Sequence, residues 1–112
     1  MKKIEAIIRP EKLESVRTAL AEIGIFGMTV AEVSGRGRQR GISLQWRVGE
    51  YRVEFLPKVK IEAVVLDEDL EKAMNAIARK ARTGERGDGK IFVLPVDSAV
   101  RIRTGDEGES AI

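Results

Sequence analysis

Two stretches of strict apolar alternation, each leading directly into a helical stripe, constrain this chain more than any other feature. In residues 2–9, Ile4, Ala6 and Ile8 fall on one face, while Lys3, Glu5 and Arg9 flank Ile7 on the other. That period of two is the signature of a half-buried strand. Pro10 then opens a helix at a position where its missing N–H costs nothing. Leu13, Val16, Leu20 and Ile23 recur at helical spacing, and Gly24 ends the run. Thr29–Ser34 reads as a second strand, closed by Gly35. The order then repeats. Val59, Ile61, Ala63 and Val65 alternate up to Leu66, and the acidic Asp67-Glu68-Asp69 suits the positive end of a helix dipole. Leu70, Ala73, Ile77 and Ala81 form the second stripe. After the loop Thr83–Gly89, the apolar run Ile91–Leu94 predicts a buried strand ended by Pro95, and Val100–Arg103 reads as a short extra strand.

Strand-helix-strand twice over in 112 residues leaves room for a single domain, 1–112. It predicts an α+β fold of the ferredoxin-like split βαβ kind (βαββαβ), an antiparallel sheet with two helices on one face. The other sheet face is then bare. With Val33, Val65 and Val93 near it, that face is expected to pack on another subunit.

Residues 35–58 do not fit as mere connection, because compact domains rarely hold structureless loops beyond about 15 residues. This stretch carries Gly35-Arg36-Gly37-Arg38-Gln39-Arg40-Gly41 at its base, together with Trp46 and Tyr51, two of the five aromatic residues. A loop of this kind between strands two and three reads as functional.

Composition removes whole classes of chemistry. Without cysteine there are no disulfides, thiol nucleophiles or cysteine-bound metals. Without histidine there is no Ser-His or Cys-His catalysis, and the commonest ligand of zinc and copper is missing. No apolar run approaches the roughly 20 residues of a membrane span. Glu5 interrupts the start of the chain, so no export signal is read and a cytoplasmic location is expected. The net charge of +2 is too small to argue for nucleic acid.

The distribution of charge says more. The arginines of residues 35–41 have no acid among them and ask for an anion. Residues 83–90, Thr-Gly-Glu-Arg-Gly-Asp-Gly-Lys, hold three glycines that let backbone N–H groups converge on one point, with Lys90 adding a charge. Gly84 to Lys90 matches the first part of a P-loop, but Ile91 stands where a Mg²⁺-binding Ser or Thr is needed, and the loop joins helix to strand rather than strand to helix. Arg101 and Arg103, at i and i+2, would share one face of a strand and grip a polyphosphate. Together these segments suggest an anion site of nucleotide size, shared between neighbouring subunits. RNA recognition, which has the same element order, is the weaker second reading, because only Phe92 could stack a base in that strand. An enzyme is third, since no carboxylate pair has the spacing of a shared site.

The motifs also carry a resemblance that covers nearly the full length. Met1 to Pro10, Gly27-Met28-Thr29-Val30, Gly37-Arg38-Gln39, Glu50-Tyr51, Phe55 to Glu62, Ala81 to Gly84, Gly87 to Val93 and Arg101 to Gly105 strongly resemble the PII nitrogen-regulatory signal-transduction proteins. The resemblance implies a homotrimer that binds ATP or ADP competitively at subunit clefts, binds 2-oxoglutarate when Mg-ATP is present, and is not an enzyme. It makes residues 35–58 the T-loop, 82–90 the phosphate loop and 101–112 the C-terminal segment. By matching position, Gly37, Arg38, Gly87, Gly89, Lys90, Arg101 and Arg103 would hold the phosphates, with Asp88 also in the nucleotide site. Thr29, Glu62 and Val64 would line the adenine pocket. Gln39 would coordinate Mg²⁺ and belong to the 2-oxoglutarate site, where Lys58 would pair with a carboxylate beside Arg9. The partners implied are an ammonium transporter, a nucleotidylyltransferase or an enzyme of nitrogen assimilation, with neither nucleic acid nor membrane insertion.

Departures from the family pattern fall on the partner-reading surface. Arg36 stands in place of Phe, Arg40 in place of Lys, Glu85-Arg86 in place of a pair ending in an aliphatic residue, and Ile42–Val48 differs most. Tyr51 is the position that many relatives modify with UMP or AMP, and an unmodified contact tyrosine is the equal alternative. Gly49 removes a serine that some relatives phosphorylate.

Overall fold

The structure, a computed structural model, describes residues 1–36, 42–46, 49–53 and 55–112, of which 42–46 and 49–53 are described by backbone alone. Strand β1 (Lys2–Ile8) passes through a single 3₁₀ turn at Pro10–Lys12 into helix α1 (Leu13–Glu22). Strand β2 (Thr29–Gly35) follows, then β3 (Ile42–Trp46), β4 (Gly49–Val53) and β5 (Leu56–Val65). A second 3₁₀ turn at Asp67–Asp69 leads into α2 (Leu70–Ala81), and β6 (Gly89–Pro95) completes the sheet.

The four-stranded sheet has the order β2-β5-β1-β6, with every pairing antiparallel. This is the expected ferredoxin-like arrangement. Strands β3 and β4 form a separate two-stranded ribbon inside the long loop, a feature the alternation did not announce. Sheet pairing reaches Gly35↔Leu56, so the ladder also takes in Leu56, Pro57 and Lys58, which were expected in the loop.

Alternation sets the core. Ile4, Ala6 and Ile8 of β1 and Val59, Ile61, Ala63 and Val65 of β5 are buried against Val16, Ala19 and Leu20 of α1 and Ala73, Ala76, Ile77 and Ala81 of α2. A fully buried Ile contributes about 1.5–3 kcal/mol over an exposed one. At the end of α1, the Ile25 N–H donates to the Leu20 carbonyl at 2.9 Å and the Gly24 N–H to Ala21 at 3.0 Å, which turns the chain and folds Ile25 into the core.

The bare sheet face differs from expectation. Residues paired across neighbouring strands share a face. Val65 belongs to the same alternation as Ile61, and Val93 pairs with buried Ile4, so both lie on the helix-covered side. Only Val33, paired with Lys58, is on the open face. There it shares the surface with Lys3, Glu5, Lys60, Glu62, Lys90 and Phe92.

The extra strand at Val100–Arg103 is also corrected. The Arg101 N–H donates to Asp106 at 2.8 Å and the Gly105 N–H to Arg101 at 2.7 Å, leaving one isolated bridge between Val100 and Glu107. Thr104-Gly105-Asp106 turns the chain back before a ladder can grow, and the Thr104 hydroxyl seals the turn by donating to Asp106 at 2.8 Å. Arg101 and Arg103 are therefore not neighbours on a strand.

Candidate functional site

Four strand ends converge at one end of the sheet. Register places Ile8 beside both Val59 and Gly89, and Val33 beside Lys58, so Arg9, Gly35, Lys58 and the loop 82–88 meet there. The cleft between them is lined by Ile7, Gly35, Arg36, Lys58, the segment 85–90 and Phe92.

Asp88 knits the loop. Its Oδ2 accepts from the Thr83 N–H at 2.8 Å and the Gly84 N–H at 2.9 Å, and its Oδ1 accepts from the Thr83 hydroxyl and from Arg9 Nε at 3.0 Å. The Thr83 hydroxyl, the two backbone N–H groups and Arg9 hold this carboxyl far below the usual carboxylate range, against the opposing effect of desolvation. Arg9 Nη2 also donates to the Arg86 carbonyl, and Lys58 Nζ to the Gly87 carbonyl. Lys58 is 7% exposed. Burial first, and the charge of Arg9 second, push its ammonium below the ordinary lysine value.

Two glycines are required here. Gly89 has φ 104°, and a Cβ would fall on the backbone carbonyl of Ile7. Gly87 has φ 95°, and a Cβ would sit 3.4 Å from both Arg9 Nη2 and Lys58 Nζ. A side chain at Gly89 would push the loop off β1, whereas at Gly87 the contacts are ordinary and it is the positive φ that any other residue would strain.

A second cleft takes Thr29, Glu62 and Val64, together with residues 24–28, Lys3, Leu66 and the C-terminal Glu109 and Ile112. Glu62 is no isolated strand residue. Lys3 Nζ lies 3.0 Å and Lys60 Nζ 3.1 Å from its carboxylate, and these partners, Lys3 foremost, lower its pKa.

The expected site residues thus fall into two groups. Lys58, Gly87, Asp88, Gly89 and Lys90 line the first cleft, with Arg9 braced against its loop. Thr29, Glu62 and Val64 line the second. Arg101 and Arg103 are exposed in the C-terminal turn and line neither. Gly37, Arg38 and Gln39 lie outside the described residues, as does the side chain of Tyr51 in β4. Sequence reasoning gave no part to Thr83, whose hydroxyl and N–H both reach Asp88. A threonine just past the helix end, with an aspartate five residues on, was the available signal.

Comparison with known proteins decides the family. The chain matches the family model for "Nitrogen regulatory protein P-II" over residues 1–106. The chain is a member of the P-II family. It is 57% identical to "Nitrogen regulatory protein P-II" of Pasteurella multocida (strain Pm70) and 58% identical to "Nitrogen regulatory protein P-II 1" of Escherichia coli (strain K12), with both proteins covered completely in each case. It is 56% identical to "Nitrogen regulatory protein P-II 2" of Methanothermobacter thermautotrophicus, covering all of this chain and 97% of that one. As a P-II protein it is a signal-transduction protein of nitrogen regulation. Among the described residues, no helix is long and apolar enough to cross a membrane.

Proposed function

We propose that this P-II protein is a non-catalytic cytoplasmic sensor that binds ATP or ADP, binds 2-oxoglutarate when Mg-ATP is present, and signals through its long loop. The observation that carries the reading is the convergence of Arg9, Lys58 and the glycine-rich loop at the base of that long loop. A polyphosphate suits this cleft: Lys90 supplies a charge, and the loop backbone supplies N–H donors. Gly37, Arg38, Arg101 and Arg103 complete the phosphate contacts in this reading.

Dependence of 2-oxoglutarate on Mg-ATP follows from the donor set. Asp88, in the same cleft, has both oxygens engaged. Mg²⁺ here would be held by phosphate oxygens and Gln39, and its charge would help neutralise a dianion beside Lys58 and Arg9.

The two clefts motivate a homotrimer. Thr29 is on edge strand β2 and Lys90 on edge strand β6, with β5 and β1 between them. At about 4.8 Å per strand the edges are roughly 14 Å apart. A nucleotide whose base meets Thr29, Glu62 and Val64 of one chain and whose phosphates meet Lys90 of the next joins unlike surfaces, the head-to-tail kind of contact from which closed rings are built. The partners proposed are an ammonium transporter, a nucleotidylyltransferase or an enzyme of nitrogen assimilation, with Tyr51 as a candidate modification site.

Calorimetric titration of ATP combined with light scattering tests this. The expected result is one nucleotide per chain and a mass of three chains. Arg103→Ala should weaken ATP by about 1–3 kcal/mol, the range for a charge-assisted contact. An unchanged affinity removes Arg103 from the site, and a monomer that binds ATP fully overturns the shared cleft.

A further inference from the structure

We infer that the Asp88 carboxylate is a positioning group for phosphate binding: it makes no ligand contact itself, and its clasp on Thr83, Gly84 and Arg9 aims the loop's N–H groups into the cleft. The inference rests on the nucleotide reading above and deepens it at one residue. Four donors already converge on the two carboxylate oxygens, the Thr83 and Gly84 N–H groups, the Thr83 hydroxyl and Arg9 Nε. A carboxylate so occupied has little to offer a ligand, and its charge would repel phosphate.

The clasp acts through Arg9. With Nε held 3.0 Å from Asp88 Oδ1, the same guanidinium directs Nη2 at the Arg86 carbonyl. Lys58 takes the next carbonyl, that of Gly87. In a trans peptide the C=O and N–H point in opposite directions. Drawing the carbonyls of Arg86 and Gly87 toward Arg9 and Lys58 therefore turns the N–H groups of Gly87 and Asp88 away from them. Among the described residues, no other side chain makes as many hydrogen bonds as Asp88 to hold this loop. Residues 82–86 are exposed, and Gly84, Gly87 and Gly89 all have positive φ, so the chain there would otherwise sample many shapes.

The test is ATP affinity of wild type, Asp88→Asn and Thr83→Val, measured well below each protein's melting temperature at low and high salt. Charge alone predicts that Asp88→Asn binds ATP more tightly, by an amount that salt screens away. Positioning predicts the opposite sign: about tenfold weaker binding, the range for a lost charged hydrogen bond, persisting in high salt. Thr83→Val keeps the carboxylate and Arg9, and should weaken ATP in the same direction. Amide exchange at Gly84 should quicken in both variants. Unchanged or tighter ATP binding by the variants overturns the inference. If Asp88→Asn does not fold, Thr83→Val decides in the same way. A wild type that does not bind ATP overturns the functional reading, a result distinct from binding that the variants leave intact.

Discussion

Lys58 Nζ donates to the Gly87 carbonyl, so one buried ammonium ties the start of β5 to the glycine-rich loop. The same cation is the proposed partner of the 2-oxoglutarate carboxylate, and binding the effector then competes with this internal bond. Lys58→Ala should abolish 2-oxoglutarate binding in the presence of Mg-ATP and weaken ATP binding far less, because Asp88 and Arg9 still hold the loop. Equal loss of both ligands, measured by calorimetry, would show that Lys58 serves the nucleotide instead.

Burial and the neighbouring Arg9 lower the Lys58 pKa from its ordinary 10.5. Only the charged form pairs with a carboxylate, so 2-oxoglutarate affinity should fall as pH rises, starting below 10.5. Stability moves the other way. Between the lowered folded value and 10.5 the unfolded chain binds more protons, so the contribution of Lys58 rises with pH across that window. Chemical denaturation of wild type and Lys58→Met should show this slope in the wild type and its loss in the variant.

Asp88 has the opposite linkage, because its depressed carboxyl stabilises the fold most when ionised. That contribution is fully present above the unfolded value of about 3.8 and is lost as pH falls toward the folded one. The melting-temperature gap between wild type and Asp88→Asn should hold steady from pH 7 to about 5 and narrow in stronger acid. A gap that stays constant down to pH 3 would mean that the clasp does not depend on ionisation.

Gly89→Ala should disrupt the first cleft from the backbone outward. Its Cβ meets the Ile7 carbonyl, and its φ of 104° strains any L residue. Urea denaturation should register a loss of at least about 2 kcal/mol. Near-wild-type stability would mean that β6 can shift away from β1.

Alternation, helical spacing and one apolar run make the four-stranded sheet, its two helices and most of the core legible, since Ile4, Ile8, Ile61 and Ile77 lie where period and spacing put them. What sequence reading missed depended on relations that a single strand does not encode. The face of Val93 follows from pairing with Ile4 across β1, not from its own run of four apolar residues. The i, i+2 spacing of Arg101 and Arg103 suggests a strand, but the Thr104-Gly105-Asp106 turn that follows ends it. The glycines and Lys90 of the first cleft were visible as a composition of small and charged residues. Its order was not, because Arg9 and Asp88 meet across 79 positions of the chain.

A sensor whose carbon signal depends on its energy signal should reveal itself when 2-oxoglutarate is titrated into the protein with Mg-ATP, with Mg-ADP and with no nucleotide. Trp46, the single tryptophan and the last residue of β3, gives a parallel fluorescence signal from the long loop. Binding is expected with Mg-ATP alone, accompanied by a change at Trp46. Binding of equal strength without nucleotide, or no binding under any of the three conditions, would rule out that coupling.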